Sequence, residues 1–448
     1  MGVSIEPWSV CTTPARALEC GSVASKSKVM EKAASGKPQA TSGGLQGKAC
    51  GWQLVACSFQ TTKVLRMPTF TARNPCCPLS FSFSPAIWLL LAALLVQCFY
   101  AAYYFWPFAR RAPEPAAGPD DAPVSVLVCA HNEQANLARL LPLLLAQDYP
   151  AELLEIILID DRSTDDTQQL ARQFPRVHLV AVTHTPAGLA PKKYALTLGI
   201  KAARHERLLF TDADCVPATN QWVRLMQRGF AGPAELVLGY SAYGAEPGFL
   251  NKLIRFETLL TGAQFLSFAW RGQPYMGVGR NLGYTSAAFR SVKGFASHIR
   301  TLSGDDDLLV QDVVAAGARA AVVAEPAAHT LSVAEATWGA WWRQKRRHLS
   351  AGRQYRLADR IRLGLFVGAN LLFYGVALGL LFSRADWVPL TTLFLLRTGL
   401  VVGVYQQLDR RLEGQLPAGW LPALDAAYFF YYLALGISLF LNRSLRWK

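Results

Sequence analysis

Charged side chains are scarce in this chain. They account for 17% of 448 residues while apolar ones account for 52%, and an ordinary soluble domain has about 25% charged. That shortage argues against solubility along the whole length and points to membrane segments joined to a soluble domain. Paired cysteine motifs are also missing. No C-x-x-C recurs at zinc spacing, which excludes a structural zinc knuckle. Six of the nine cysteines precede residue 80, and Cys129 and Cys215, among strand-like apolar residues, read as inert buried thiols. Phosphate loops are absent too: GGLQGKA (Gly43–Ala49) is too short between its outer glycines and has no Ser or Thr after Lys48. Gly277–Gly283 has the wrong spacing for a dinucleotide fingerprint. What is in excess is positive charge, +14 overall, which suits anionic partners: nucleic acid, anionic lipid or phosphorylated substrates.

Long apolar runs are plentiful. The first, Pro85 to Trp106, has no charge and an aromatic end, and about twenty such residues cross a bilayer. Three more follow, at about Leu363–Phe382, Trp387–Tyr405 and Trp420–Leu441, spanning residues 363–441. Arg397 and Asp425 lie inside the last two, where a charge needs a partner; an ion pair between them and a contact of Arg397 with a lipid phosphate are the two readings. Arg110 and Arg111 follow the first run, so the middle of the chain is expected in the cytoplasm and the protein in the cell (inner) membrane. Residues 1–84 lack hydrophobic periodicity and are expected to be a disordered tail. Its lysines oppose that orientation, so a natural start at Met67 is expected. The basic end, with Arg443, Arg446 and Lys448, fits the charge rule poorly under four spans.

Residues 122–335 alternate between strand and helix patterns. VSVLVCA (Val124–Ala130) ends at His131, Asn132 and Glu133; LEIILID (Leu154–Asp160) ends at Asp160 and Asp161; RLLFTDAD (Arg207–Asp214) ends in two acids. Helices are predicted over 135–147, 164–173 and 192–204, and a strand over Val177–Val182. This is the order of an open, mostly parallel α/β sheet, in which ligands bind beyond the strands' C-terminal ends.

Asp212 and Asp214 lie two apart at such an end. Two carboxylates with waters and phosphates suit Mg2+ or Mn2+, and a solvated turn is the plainer alternative. Asp160 and Asp161 suit a base N–H or a ribose hydroxyl, with the adjoining Ser163, Thr164 and Asp165 capping a helix. Lys192 and Lys193 open the next helix, either to hold phosphate or to face solvent. Asp305, Asp306 and Asp307 stand in a row before an apolar helix. They suit a general base taking a hydroxyl proton or a helix N-terminus that welcomes acids. Residues 336–360 combine Trp338, Trp341 and Trp342 with a dense basic face. They read as a helix lying in the membrane surface rather than as a nucleic-acid site.

Together these motifs resemble the membrane-bound family-2 glycosyltransferases, over roughly residues 122–356. The resemblance implies a Rossmann-like GT-A sheet with one N-terminal and about three C-terminal transmembrane helices. It implies that the strand ending in Asn132 and Glu133 and the Asp160–Asp161 pair hold the donor nucleotide. Lys193 is placed with the same donor contacts. Asp212 would contact the diphosphate, and with Asp214 a metal. The E-D-x-x-L motif maps onto Asp305, Asp306 and Leu309, implying Asp306 as the base. Of the synthases' Q-x-x-R-W motif, Gln344 and Arg347 are present and would grip the diphosphate, while His348 replaces the tryptophan. The implied activity is one inverting, metal-dependent sugar transfer from a nucleotide diphosphate to a membrane lipid or lipid-linked acceptor, with no nucleic-acid partner. A processive polysaccharide synthase and a non-catalytic nucleotide-sugar-binding membrane subunit are the alternatives.

Overall fold

The computed structural model describes residues 84–111, 121–382 and 387–441. The tail before Ser84, with the expected start at Met67, and the basic end after Leu441 lie outside these residues.

Among the described residues, ten strands follow in chain order: β1 (Val124–Ala130), β2 (Leu154–Asp161), β3 (Val177–Val182), β4 (Arg207–Asp212), β5 (Cys215–Pro217), β6 (Ala234–Gly239), β7 (Ser241–Tyr243), β8 (Leu282–Thr285), β9 (Arg319–Val323) and β10 (Thr330–Ser332). Seven form one sheet in the order β3-β2-β1-β4-β8-β6-β9, and β5, β10 and β7 form a second. The first four strands of the large sheet are mutually parallel, and β8 alone runs against its neighbours. Parallel strands covered on both faces need apolar residues throughout, and β1, β2 and β4 are buried along almost their whole length. The predicted mostly parallel α/β class is therefore the observed one.

Register sets the functional rim. Ala130 at the end of β1 stands opposite Asp160, and its neighbour Cys129 stands opposite Asp212. The acids two strands apart thus lie at one edge. Helix Pro191–Ala202 packs onto β2 so closely that a methyl group at Gly199 would run into Ile159. The helix predicted over 164–173 is only Thr167–Ala171. Residues before it are held in a turn instead, with the Ser163 N–H donating to Asp160 (3.2 Å), Thr164 N–H to Asn132 (2.7 Å) and Thr167 N–H to Asp165 (3.1 Å).

A 22-residue helix, Phe249–Trp270, was not anticipated and is buried nearly all round. It joins the sheet to the long helices. Arg255 on it donates to the Gln415 carbonyl at 2.8 Å, and Glu257 meets Lys345 at 2.5 Å.

Among the described residues, four helices are long and apolar enough to cross a membrane: Pro85–Arg110, Leu357–Phe382, Trp387–Leu412 and a fourth over Ala418–Ser438. The first widens into a π turn at Ala101–Phe105, where Tyr104 packs against Phe268 of the buried helix (ring centroids 4.3 Å apart). Arg397 and Asp425 form an ion pair of 2.6 Å. Arg397 also donates to Gln97 (2.8 Å), Asn370 (2.8 Å) and Tyr374 (2.9 Å). The intramembrane pairing reading holds, and all four helices share it.

Candidate active site

Beyond the rim of the sheet lies a cavity of about 1040 Å³. Its polar end is lined by Lys192, Asp212, Asp214, Arg280, Asp305 and Asp306, with Gln344, Arg347 and His348 opposite. These residues come from five separate stretches of sequence, and the turns after β4 and before helix Asp307–Ala315 help bring them together.

The Lys192 ammonium stands between two carboxylates, 3.0 Å from Asp212 and 2.9 Å from Asp305. Burial opposes its charge, but those two acids and Asp306 hold its pKa well above the ordinary value. Burial likewise opposes ionisation of Asp305, and Lys192 outweighs it, leaving that carboxyl below the usual range. Lys193, the expected donor contact, does not reach this cavity. Its ammonium is 1% exposed and donates to the His298 and Ser303 carbonyls at 2.9 and 2.8 Å, with the His298 ring 2.7 Å away. Burial pushes it down to about 8. The lysine that lines the cavity is its neighbour, Lys192. Helical spacing was the available signal, since Lys192 is three, four, seven and eight residues before Ala195, Leu196, Gly199 and Ile200, the buried stripe of that helix.

Asp214 has a raised pKa through burial and the charge of Asp212, against the opposing charge of Arg280. Its oxygens accept from Cys215 Sγ (3.4 Å) and Ser332 Oγ (3.5 Å). Among the described residues, no group of three or more His, Cys, Asp or Glu side chains is arranged to hold a metal ion. Two carboxylates alone are a partial shell, one that phosphate oxygens of a ligand would complete.

Asp306 caps helix Asp307–Ala315 and accepts from the Gly279 N–H at 2.9 Å and the Asp307 N–H at 2.8 Å. Burial and the Asp305 charge raise its pKa. Asp307 is engaged inside the protein, accepting from Tyr355 Oη and from the Leu308 N–H (2.8 Å). Burial and the charge of Asp306 push it up to about 7. All three acids line the cavity; Asp305 is paired with Lys192 and Asp307 with Tyr355, while Asp306 is held by two backbone N–H groups.

Helix Trp338–Ala351 supplies the opposite wall. Trp338 is 51% exposed, but Trp341, also expected at a membrane surface, is fully buried and stacks on Tyr431 (4.1 Å). With the Lys345–Glu257 pair this contact turns Gln344, Arg347 and His348 toward the acids. His348 is held neutral by burial and by the charges of Lys345, Arg347 and Arg280.

Asn132, Glu133, Asp160 and Asp161 lie outside the cavity lining, at the adjoining strand ends. Asn132, in a left-handed conformation (φ 57°), uses its side-chain oxygen on Thr164. Both oxygens of Asp160 are used within the protein, by Ser163 N and by Gln168 Nε2 (2.6 Å). Asp161 pairs with Arg162 (2.8 Å). Burial raises the Glu133 pKa, the Asn136 amide opposes that, and the charges of Asp214 and Asp212 add to it, so it faces the same acidic rim.

Residues 125–292 match the model of Glycosyl transferase family 2. The chain is built around a family-2 glycosyl transferase domain. A probable glycosyltransferase, YdaM, of Bacillus subtilis is 26% identical over 285 residues, covering 60% of this chain and 64% of that protein. The glycosyltransferase AglE of Haloferax volcanii is 30% identical over 103 residues, 22% of this chain and 33% of its own. The chain thus spans less than two thirds of either relative. In fold it is similar to the mannosyltransferase PcManGT of Pyrobaculum calidifontis, solved with GDP-Man and Mn2+. That match has a TM-score of 0.51 and 18% identity, covering 77% of this chain and 99% of that one. Over residues 125–292 the chain is thus similar to glycosyl transferases of family 2, and its fold is that of a solved glycosyltransferase.

Proposed function

We propose that the protein transfers one sugar, with inversion, from a nucleotide diphosphate to a lipid or lipid-linked acceptor at the cytoplasmic membrane face. One observation carries the acceptor assignment. The cavity that holds Asp306 at its polar end continues into an apolar groove lined by Leu363, Val367 and Leu371 of the second long helix and by Leu433 and Ile437 of the fourth. A polar head reaching the acids would leave an apolar chain in that groove, against side chains that favour it by about 25 cal/mol per Å².

Asp306 takes the proton of the acceptor hydroxyl as its oxygen attacks the anomeric carbon. Gly279 N–H fixes the Asp306 carboxylate, and Lys192 keeps Asp305 charged beside it. Gln344 and Arg347 face the departing diphosphate. Asp212 and Asp214 would hold Mg2+ or Mn2+, which neutralises charge on the leaving group. Glu133 and Asp161 are assigned to the nucleotide end, on a turn held by Asn132 and Asp160. With one acceptor groove and His348 in place of the synthases' tryptophan, a single transfer is favoured over chain growth.

The experiment is a screen of labelled nucleotide sugars with purified protein and membrane lipid extract. Label is expected in the organic phase. Label found only in water-soluble polymer would replace this reading by the processive one. Excess EDTA is expected to stop turnover and Mn2+ to restore it; undiminished turnover in EDTA would remove Asp212 and Asp214 from metal duty.

A further inference from the structure

The loop between the buried helix and β8 contains a cation that the roles above leave unused. Arg280 lines the cavity, with its guanidinium 4.4 Å from the centre of the Tyr243 ring. Its charge is felt on two sides, by Asp212 and Asp214 on one and by His348 of the basic helix on the other. Among the described residues its Nη1 is buried with no hydrogen-bond acceptor. Leaving a buried donor of a charged group unsatisfied is costly, and a guanidinium in a cavity offers a planar fork matched to phosphate oxygens.

The backbone around it is fixed. Gly279 N–H is bonded to Asp306, and the Arg280 carbonyl accepts from Thr330 Oγ1 at 3.0 Å. Fully buried Asn281 donates to the Tyr240 and Ala328 carbonyls (2.7 and 2.8 Å) and accepts from Trp222 Nε1 (3.0 Å). Arg280 is thus held ready between the paired acids and the basic helix, on the same short loop that positions the base.

We infer that Arg280 binds the terminal phosphate of the donor's diphosphate through its unpaired Nη1, resting on Tyr243. This deepens the glycosyltransferase reading and depends on it. In the transfer, the bond from the acceptor oxygen to the anomeric carbon forms as the bond to the phosphate oxygen breaks. The electron pair leaves on that phosphate, the acceptor's proton passes to Asp306, and Arg280 meets the charge gained by the phosphate. The sequence hid this role because Arg280 stands in the glycine-rich stretch Gly277–Gly283, whose spacing matches no dinucleotide fingerprint.

The test is calorimetric binding of GDP, UDP, GMP and UMP, each with Mn2+, to the full-length protein and to Arg280→Gln. Losing one charge-assisted hydrogen bond weakens binding by about tenfold to a hundredfold. That loss is expected for the diphosphates, while the monophosphates change less than about twofold. A merely structural role would move both classes, so equal weakening overturns the inference, as does no weakening at all. Arg280→Lys, which keeps charge but not the fork, is expected to fall between. Wild-type protein that binds none of the four nucleotides would instead sink the glycosyltransferase reading itself.

Discussion

Asp306→Asn is expected to lower sugar transfer by about 10²–10⁴-fold, the range for removing a general base, and to leave diphosphate affinity within about twofold. The substitution keeps size and shape, so an oxygen remains to accept from Gly279 N–H or Asp307 N–H. What it removes is the ability to take a proton. Measuring nucleoside diphosphate release with acceptor present, alongside binding, separates the two effects. A variant that loses binding as severely as turnover would make Asp306 a structural cap and leave the base unassigned. The pH profile gives a second check. Burial and the Asp305 charge raise the Asp306 carboxyl, and only its ionised form accepts a proton. Transfer should therefore decline on acidification at a pH above the ordinary carboxylate range.

The strand ends were legible because a parallel strand buried on both faces has a plain signature: an unbroken apolar run stopped by polar residues. β1, β2 and β4 each show it, so Asp160 and Asp212 could be placed at one edge before any coordinates. Which side chain at an edge faces the ligand is a finer matter. Asp160 turns inward to hold a turn, and Lys193 turns toward His298, although Lys192 beside it reaches the cavity. One residue along a helix is a rotation of about 100°, so adjacent lysines exchange roles with small changes in packing. Helix Phe249–Trp270 escaped for the opposite reason. It is buried on every side, so it lacks the apolar stripe of a surface helix. Its Lys252, Arg255 and Glu257 also break the run expected of a membrane span. Arg255 and Glu257 are matched by distant residues, Gln415 and Lys345, which no local pattern reveals.

The second large effect is expected far from the sugar chemistry. Arg397→Leu should destabilise the protein by about 3–5 kcal/mol, the cost of leaving a buried charge without its partner. Both members of the pair are almost wholly buried, 2% and 0% exposed. The loss is larger than the ~0.6 kcal/mol average for one hydrogen bond between membrane helices, because Arg397 serves Gln97, Asn370 and Tyr374 as well as Asp425. Removing it frees polar groups on three other helices at once. If the uncompensated charge dominates, replacing both ions with apolar residues should recover much of the stability. Arg397→Leu combined with Asp425→Leu is then expected to survive heating in detergent better than Arg397→Leu alone, scored by monodisperse protein remaining. A double variant that melts no later than the single one would shift the cause to the severed bonds of Gln97, Asn370 and Tyr374.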